Sequence, residues 1–122
     1  MPHETDELIS YNACYSAERL GAVAIIAFTQ SGSTARRVAK FRPRVPIIAI
    51  TASDEVSGRL ELYWNVQAIN MGQPRSIEDL INTGTKLARE SGIARPGDLI
   101  VITGGTPLGI PGTTNFLKVQ KV

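Results

Sequence analysis

The chemistry open to this chain is concentrated in hydroxyls and glycines, because its other reactive side chains are few. Thr29-Gln30-Ser31-Gly32-Ser33-Thr34 sets four hydroxyls around a glycine, between an apolar run and a helical pattern. A phosphate group needs many donors and the positive end of a helix dipole, and a strand-to-helix turn of this composition offers both. The same residues also fit a plain turn whose serines and threonines cap the helix, so two readings stand at this point. A second candidate loop, GGTPLGIPGTTN, runs from Gly104 to Asn115. Its glycines at 104, 105, 109 and 112 permit positive φ and close ligand approach, while Pro107 and Pro111 stiffen it. About twelve residues is long for a connection in a tight domain, and such loops are often functional.

Catalytic groupings are thin. The one histidine, His3, sits beside the N-terminus. Neither Ser31 nor Ser33 has a His/Asp partner or a Gly-x-Ser-x-Gly elbow, and neither loop ends in the Gly-Lys-Ser/Thr of a P-loop. The segment TGGTPLGI imitates the glycine turn of short-chain nicotinamide-dependent reductases. A helix and a second strand with an acidic residue should follow such a turn, but Pro111 interrupts the helix and the chain ends too soon. Cys14 is the only cysteine, which excludes an intramolecular disulfide and zinc clusters and suits a reducing compartment. The expectation is a binding site without a reaction centre, a metal or a cofactor.

The elements that would position these loops alternate along the chain. Thr5 is a candidate cap for a first helix, with Asp6 and Glu7 in its opening turn, where the dipole favours acids. Leu8, Ile9, Ala13, Ala17 and Leu20 recur at helical spacing up to Gly21. Ala22 to Phe28 is a continuous apolar run, as a central parallel strand buried on both faces should be. TARRVAKF then reads as a second helix ended by Arg42-Pro43, and Pro46 to Thr51 as a second buried strand. Ser53 caps a third helix reaching about Tyr63, and a third strand runs near Val66 to Met71. Tyr63 and Trp64 close that helix's apolar face and are assigned to the core. Ser76 with Asp79 opens a fourth helix that stops at Gly92. Arg95-Pro96-Gly97-Asp98 has Pro and Gly in type II positions, ahead of a fourth strand, Leu99 to Thr103. Leu117 and Val119 then alternate with Lys118 and Gln120, as on an edge strand with one wet face.

This alternation predicts an α/β fold over residues 1–122 as one domain. It is a three-layer α/β/α sandwich around an about five-stranded, mostly parallel sheet, with the last strand antiparallel at an edge. At 122 residues, with 43% hydrophobic and 20% charged, the chain can bury its own core. A net charge of +2 is too small to argue for nucleic acid. The basic cluster Arg36, Arg37, Lys40, Arg42 and Arg44 reads as a solvated helix and loop that draws anions; among aromatics only Phe41 lies near it, where a nucleic-acid groove would interleave several. No apolar run reaches the ~18 residues of a membrane span and no signal peptide opens the chain, so a cytoplasmic protein without membrane contact is expected.

Two segments carry a resemblance. HETDELISYNACYSAERLGAVAIIAFTQSGSTARRVAKFRPRVPIIAIT is similar to the opening of the pyruvate kinase C-terminal domain, bacterial type, and GIARPGDLIVITGGTPLGIPGTTNFLKV to its end. The shared motifs are T-x-S-G-x-T-A, R-P-x-x-P-I-I-A-x-T, G-D-x-x-V-I-x-x-G and G-T-T-N, in order over nearly the whole chain. The resemblance implies an allosteric domain whose first loop, here Thr29, Gln30, Ser31, Gly32, Ser33 and Thr34, grips a phosphate of a sugar phosphate or nucleotide effector. It implies a second effector loop at Gly104, Gly105, Thr106, Pro107, Gly109, Gly112 and Thr113. Many relatives carry Lys or Arg directly after the first loop's glycine, whereas Ser33 stands here, which leaves Arg75 or Arg36 as long-range cations. The family's tryptophan–arginine clamp for a bisphosphate has no counterpart that can be placed, so the effector class stays open. The resemblance also implies a partner (β/α)8 catalytic barrel of roughly 250 residues, which holds the family's magnesium and potassium and cannot fit in this chain. Subunit contacts through the first helix and last strand are implied as well. The alternative is a free-standing structural or ligand-binding protein of the same fold; a small independent enzyme would need a base or metal that the sequence lacks.

Overall fold

The computed structural model describes residues 4–105 and 114–122. The elements follow in the order α1 (Glu4–Leu20), β1 (Ile25–Phe28), α2 (Ser33–Lys40), β2 (Ile47–Thr51), α3 (Asp54–Leu60), β3 (Val66–Asn70), α4 (Ile77–Glu90), β4 (Leu99–Gly104) and β5 (Phe116–Lys121). They build one five-stranded sheet in the order β3-β2-β1-β4-β5. Pairing is parallel between β1, β2, β3 and β4 and antiparallel between β4 and β5, as the sequence predicts for an edge strand. The layering follows from crossover handedness. Steps from β1 out to β3 put α2 and α3 on one face, and the return from β3 to β4 puts α4 on the other.

The central strands are buried on both sides, which is why they read as unbroken apolar runs. Ile25, Ala27, Ile47, Ala49 and Val101 face α1, α2 and α3, while Ile26, Ile48, Ile50, Ile100 and Ile102 face α4. Each fully buried isoleucine is worth roughly 1.5–3 kcal/mol over leaving it in water. Local signals agree with the helix starts. Ser53 Oγ accepts from Val56 N at 3.3 Å and Ser76 Oγ from Asp79 N at 3.0 Å. In the 95–98 turn, Asp98 N donates to Arg95 O at 3.0 Å.

Three sequence expectations are corrected. Thr5 lies inside α1, and the face this helix buries is Asp6, Ser10, Ala13, Cys14 and Ala17. Small side chains there let α1 lie close to the sheet, so Leu8 and Leu20 turn outward. Second, α3 stops at Leu60, with Leu62 N and Tyr63 N bonding back to Arg59 O and Leu60 O. The chain leaves the helix axis there, so Tyr63 and Trp64 are not core; they are 42% and 48% exposed. Third, Arg37 is not solvated like the rest of its cluster: it reaches inward to Asp6.

Candidate functional site

In an open α/β sheet, the crevice outside the strands' carboxyl ends forms where the strand order reverses. Here the reversal lies between β1 and β4, whose Ala27 and Thr103 are register partners. The loop leaving β1 begins at Thr29 and the one leaving β4 at Gly105, so both sequence candidates flank this point. Thr106, Pro107, Gly109, Gly112, Thr113 and His3 lie outside the described residues.

The first loop is built around Gly32. Its φ of 97° is left-handed, where a side chain is strained, and an added Cβ would sit 3.4 Å from Leu60 and 3.5 Å from Val56 of α3. Its amide donates to the buried Thr29 Oγ1 at 2.7 Å, and Thr29 N donates to Ile50 O at 3.0 Å. Thr29 therefore closes the turn. Ser31 Oγ donates to Ser33 Oγ at 3.2 Å. With glycine at its N-cap, α2 has no capping side chain, so the hydroxyls are not spent as an ordinary N-cap. Gln30 Oε1 is buried with no hydrogen-bond partner, an acceptor that a bound molecule or a water can satisfy.

Thr34 points toward the second loop. Its buried Oγ1 lies 2.7 Å from Thr114 Oγ1, which also accepts from Arg37 Nη1 at 3.3 Å. Asp6 completes the group: its Oδ1 accepts from Thr114 N at 2.7 Å, and its Oδ2 lies 3.7 Å from Arg37 Nη2. A carboxylate from α1, a guanidinium from α2 and the Thr114 hydroxyl thus fasten the end of the second loop beside the end of the first. Sequence reading missed all three roles, since Asp6 and Thr114 are separated by almost the whole chain. The one available signal was a carboxylate at an otherwise small-residue helix face.

Gly104 is explained by packing. A Cβ there would meet Phe28 O at 3.2 Å and the Phe116 ring at 3.1 Å, and Asn115 N donates to Gly104 O at 2.8 Å. Its missing side chain lets the end of β4 close onto β1, so close ligand approach is not needed to account for it. Arg75 lies at the start of α4, where its amide donates to Asp79 Oδ2 at 2.9 Å.

A groove opens beside the first loop, between α2 and α3. Ser31, Gly32, Arg36, Arg59 and Tyr63 line a small cavity of about 40 Å³. A larger one of about 320 Å³ continues past Arg36 and Tyr63 to Lys40, Leu62 and Trp64. Cys14 contributes no chemistry: burial, helped by Glu18, pushes its thiol up to about 12. Among the described residues no His/Cys/Asp/Glu cluster could hold a metal ion, and no helix is long and apolar enough to cross a membrane.

The family model that matches residues 7–120 is that of the pyruvate kinase alpha/beta domain. The chain belongs to that family. Its fold and motif order agree with this membership throughout. A pyruvate kinase of Clostridium acetobutylicum is 45% identical over 118 residues, covering 97% of this chain and 25% of that protein. A pyruvate kinase of Staphylococcus aureus strain USA300 is 40% identical over 114 residues, covering 93% of this chain and 20% of that protein. The chain thus spans a fifth to a quarter of the length of these relatives.

Proposed function

We propose that this chain is the regulatory module of a pyruvate kinase and binds a phosphorylated metabolite at the turn between β1 and α2. The observation that carries the reading is the combination at Ser31–Thr34. A left-handed glycine heads a helix without a capping side chain, beside an unsatisfied carbonyl and at the sheet's switch point. Helix-start amides and serine hydroxyls suit a phosphate, and Gln30 Oε1 suits a donor on the remainder of the ligand. The parent enzyme would transfer a phosphoryl group from phosphoenolpyruvate to ADP in glycolysis, on a catalytic domain supplied by the rest of the polypeptide or by a partner. Effector binding would bias that domain's conformational equilibrium by about 1–3 kcal/mol. The polar group joining Asp6, Arg37, Thr34 and Thr114 is the element able to carry the change, since it touches α1, α2 and the end of the second loop. Calorimetry with glucose 6-phosphate, ribose 5-phosphate, AMP and fructose 1,6-bisphosphate tests this. At least one should bind, and Ser31→Ala should weaken it by about 1–3 kcal/mol. A folded protein that gives no heat with any of the four contradicts the reading.

A second role, in subunit assembly, is supported by α1. Leu8, Tyr11, Tyr15 and Leu20 are all about half exposed on it, Tyr11 and Tyr15 stack at 6.2 Å, and β5 leaves an open edge beyond β4. A symmetric contact through these elements should give a dimer by sedimentation; a monomer at high concentration removes it.

A further inference from the structure

Along the sequence only Phe41 lies among the basic residues of α2 and the loop after it, but the fold brings two more rings to them. Tyr63 and Trp64, from the turn after α3, line a cavity of about 320 Å³ together with Arg36, Lys40 and Arg42. This corner lies where β2 and β3 begin, since Ile47 N bonds to Asn65 O at 3.0 Å. The turn leaving β1 stands at the other, carboxyl end of the parallel strands.

Trp64 is held firmly for a half-exposed residue. Its Nε1 donates to Pro43 O at 3.2 Å, and the Arg42 guanidinium lies 5.1 Å from its ring centroid. Asn65 Nδ2 donates to Val45 O at 3.1 Å. Arg42 and Asn65 both adopt left-handed backbone, at φ 48° and 51°. That conformation is costly for a long side chain such as arginine and is kept where surrounding structure demands it. The loops after α2 and α3 are thus locked together, and rings and cations are in place before any ligand arrives.

The charge on this corner is not spent within the fold. Among the described residues, the guanidiniums of Arg36, Arg42 and Arg44 have no ion-pair partner. Lys40 pairs with Glu7, but both are exposed and such a contact is weak in water. No Asp or Glu lines the cavity; Glu61 precedes Leu62 without joining the lining. The chain's net charge of +2 averages in acids such as Glu78 and Asp79 of α4, on the opposite face of the sheet. The core of a protein–protein contact is depleted of charge, whereas three of the seven lining residues here are cationic. Cations interleaved with flat rings match the phosphates and unpaired bases of a single strand. A duplex keeps its base faces stacked away from such rings.

We propose that this corner binds single-stranded nucleic acid. Bases lie against Tyr63 and Trp64, and phosphates meet Arg36, Arg42 and Arg44. The assignment is independent of the effector reading, because it uses none of residues 29–34.

Trp64 is the chain's one tryptophan, so its fluorescence reports the corner directly. The 122-residue chain is titrated with a mixed-sequence strand of about ten nucleotides, as RNA and as DNA. The matching duplex and inorganic polyphosphate, which carries charge but no base, serve as comparisons, and amide spectra confirm the fold. At least one single strand should quench Trp64 and bind on the order of tenfold more tightly than duplex or polyphosphate; a preference between RNA and DNA identifies which is read. With three phosphate contacts, log affinity should fall against log salt with a slope of about −2, and Arg36→Gln should reduce that slope by about 0.7. Tyr63→Ala, at an exposed position, should weaken the strand about tenfold and leave polyphosphate unchanged. Equal affinity for strand and polyphosphate overturns the proposal, leaving a surface that merely attracts anions. A preference for duplex, binding that leaves Trp64 undisturbed, or no binding by the folded chain overturns it as well, and none of these results bears on the effector reading.

Discussion

Two regions of this molecule invert the usual rule of burial. Where α1, α2 and Thr114 meet, a carboxylate, a guanidinium and two threonine hydroxyls are packed away from water. Around residues 62–64, a leucine, a tyrosine and a tryptophan are left exposed beside cations. Buried polar groups are tolerated only when each is partnered, and here bonds join α1, α2 and Thr114. That region fixes where Thr34, at the end of the first loop, stands relative to Thr114. The aromatic corner is tied down by the Trp64 Nε1 bond to Pro43 O and the Arg42 guanidinium over its ring, yet it stays about half exposed.

The contrast predicts an ordered series of effects. Asp6→Ala should be the most damaging, costing about 3 kcal/mol in urea denaturation, because it removes the carboxylate facing the Arg37 guanidinium and the acceptor of the Thr114 amide. A near-neutral result would mean that the polar group is not structural. Gly32→Ala should come next, at about 1–2 kcal/mol, through its left-handed backbone, with loss of effector binding. Trp64→Ala, which gives up the bond to Pro43 O, should cost about 1 kcal/mol, and Leu62→Ser should lie within about 0.5 kcal/mol of the parent; a loss as large as that of Asp6→Ala would place this corner in the folding core after all.

A pH effect sharpens the comparison from the α1 side. The Cys14 thiol is raised from 9.0 to about 12, first by burial and then by Glu18. The folded state disfavours the thiolate, so the stability Cys14 contributes is present below about 9 and lost as pH rises toward about 12. Thiol reagents at pH 8 should modify Cys14 only at the rate of unfolding, and Cys14→Ser should flatten the alkaline decline.

The difference between the regions also marks what could be read from sequence. The strands were legible because AIIAF, PIIAIT and LIVIT are buried on both faces, which leaves no polar residue to blur the pattern. Ser53 and Ser76 were legible because a cap acts over three residues. The edge position of β5 followed from Leu117 and Val119 alternating with Lys118 and Gln120. Trp64 was misread because periodicity does not reveal where α3 stops, and Gly58 within it is a weak marker. The Asp6–Arg37–Thr114 group was illegible for a different reason: its contacts span up to 108 residues, and nothing local distinguishes Arg37 from its neighbour Arg36. The first loop's glycine was visible, but its seat against Leu60 and Val56 needed the fold.

The central claim is that the turn leaving β1 receives a phosphate. The most direct measurement is an amide spectrum of the labelled chain titrated with ribose 5-phosphate. Saturable shifts at Ser31, Gly32 and Ser33, abolished in Gly32→Ala, are the predicted result. Shifts absent there while the spectrum stays folded, or centred on another part of the sheet, would contradict it.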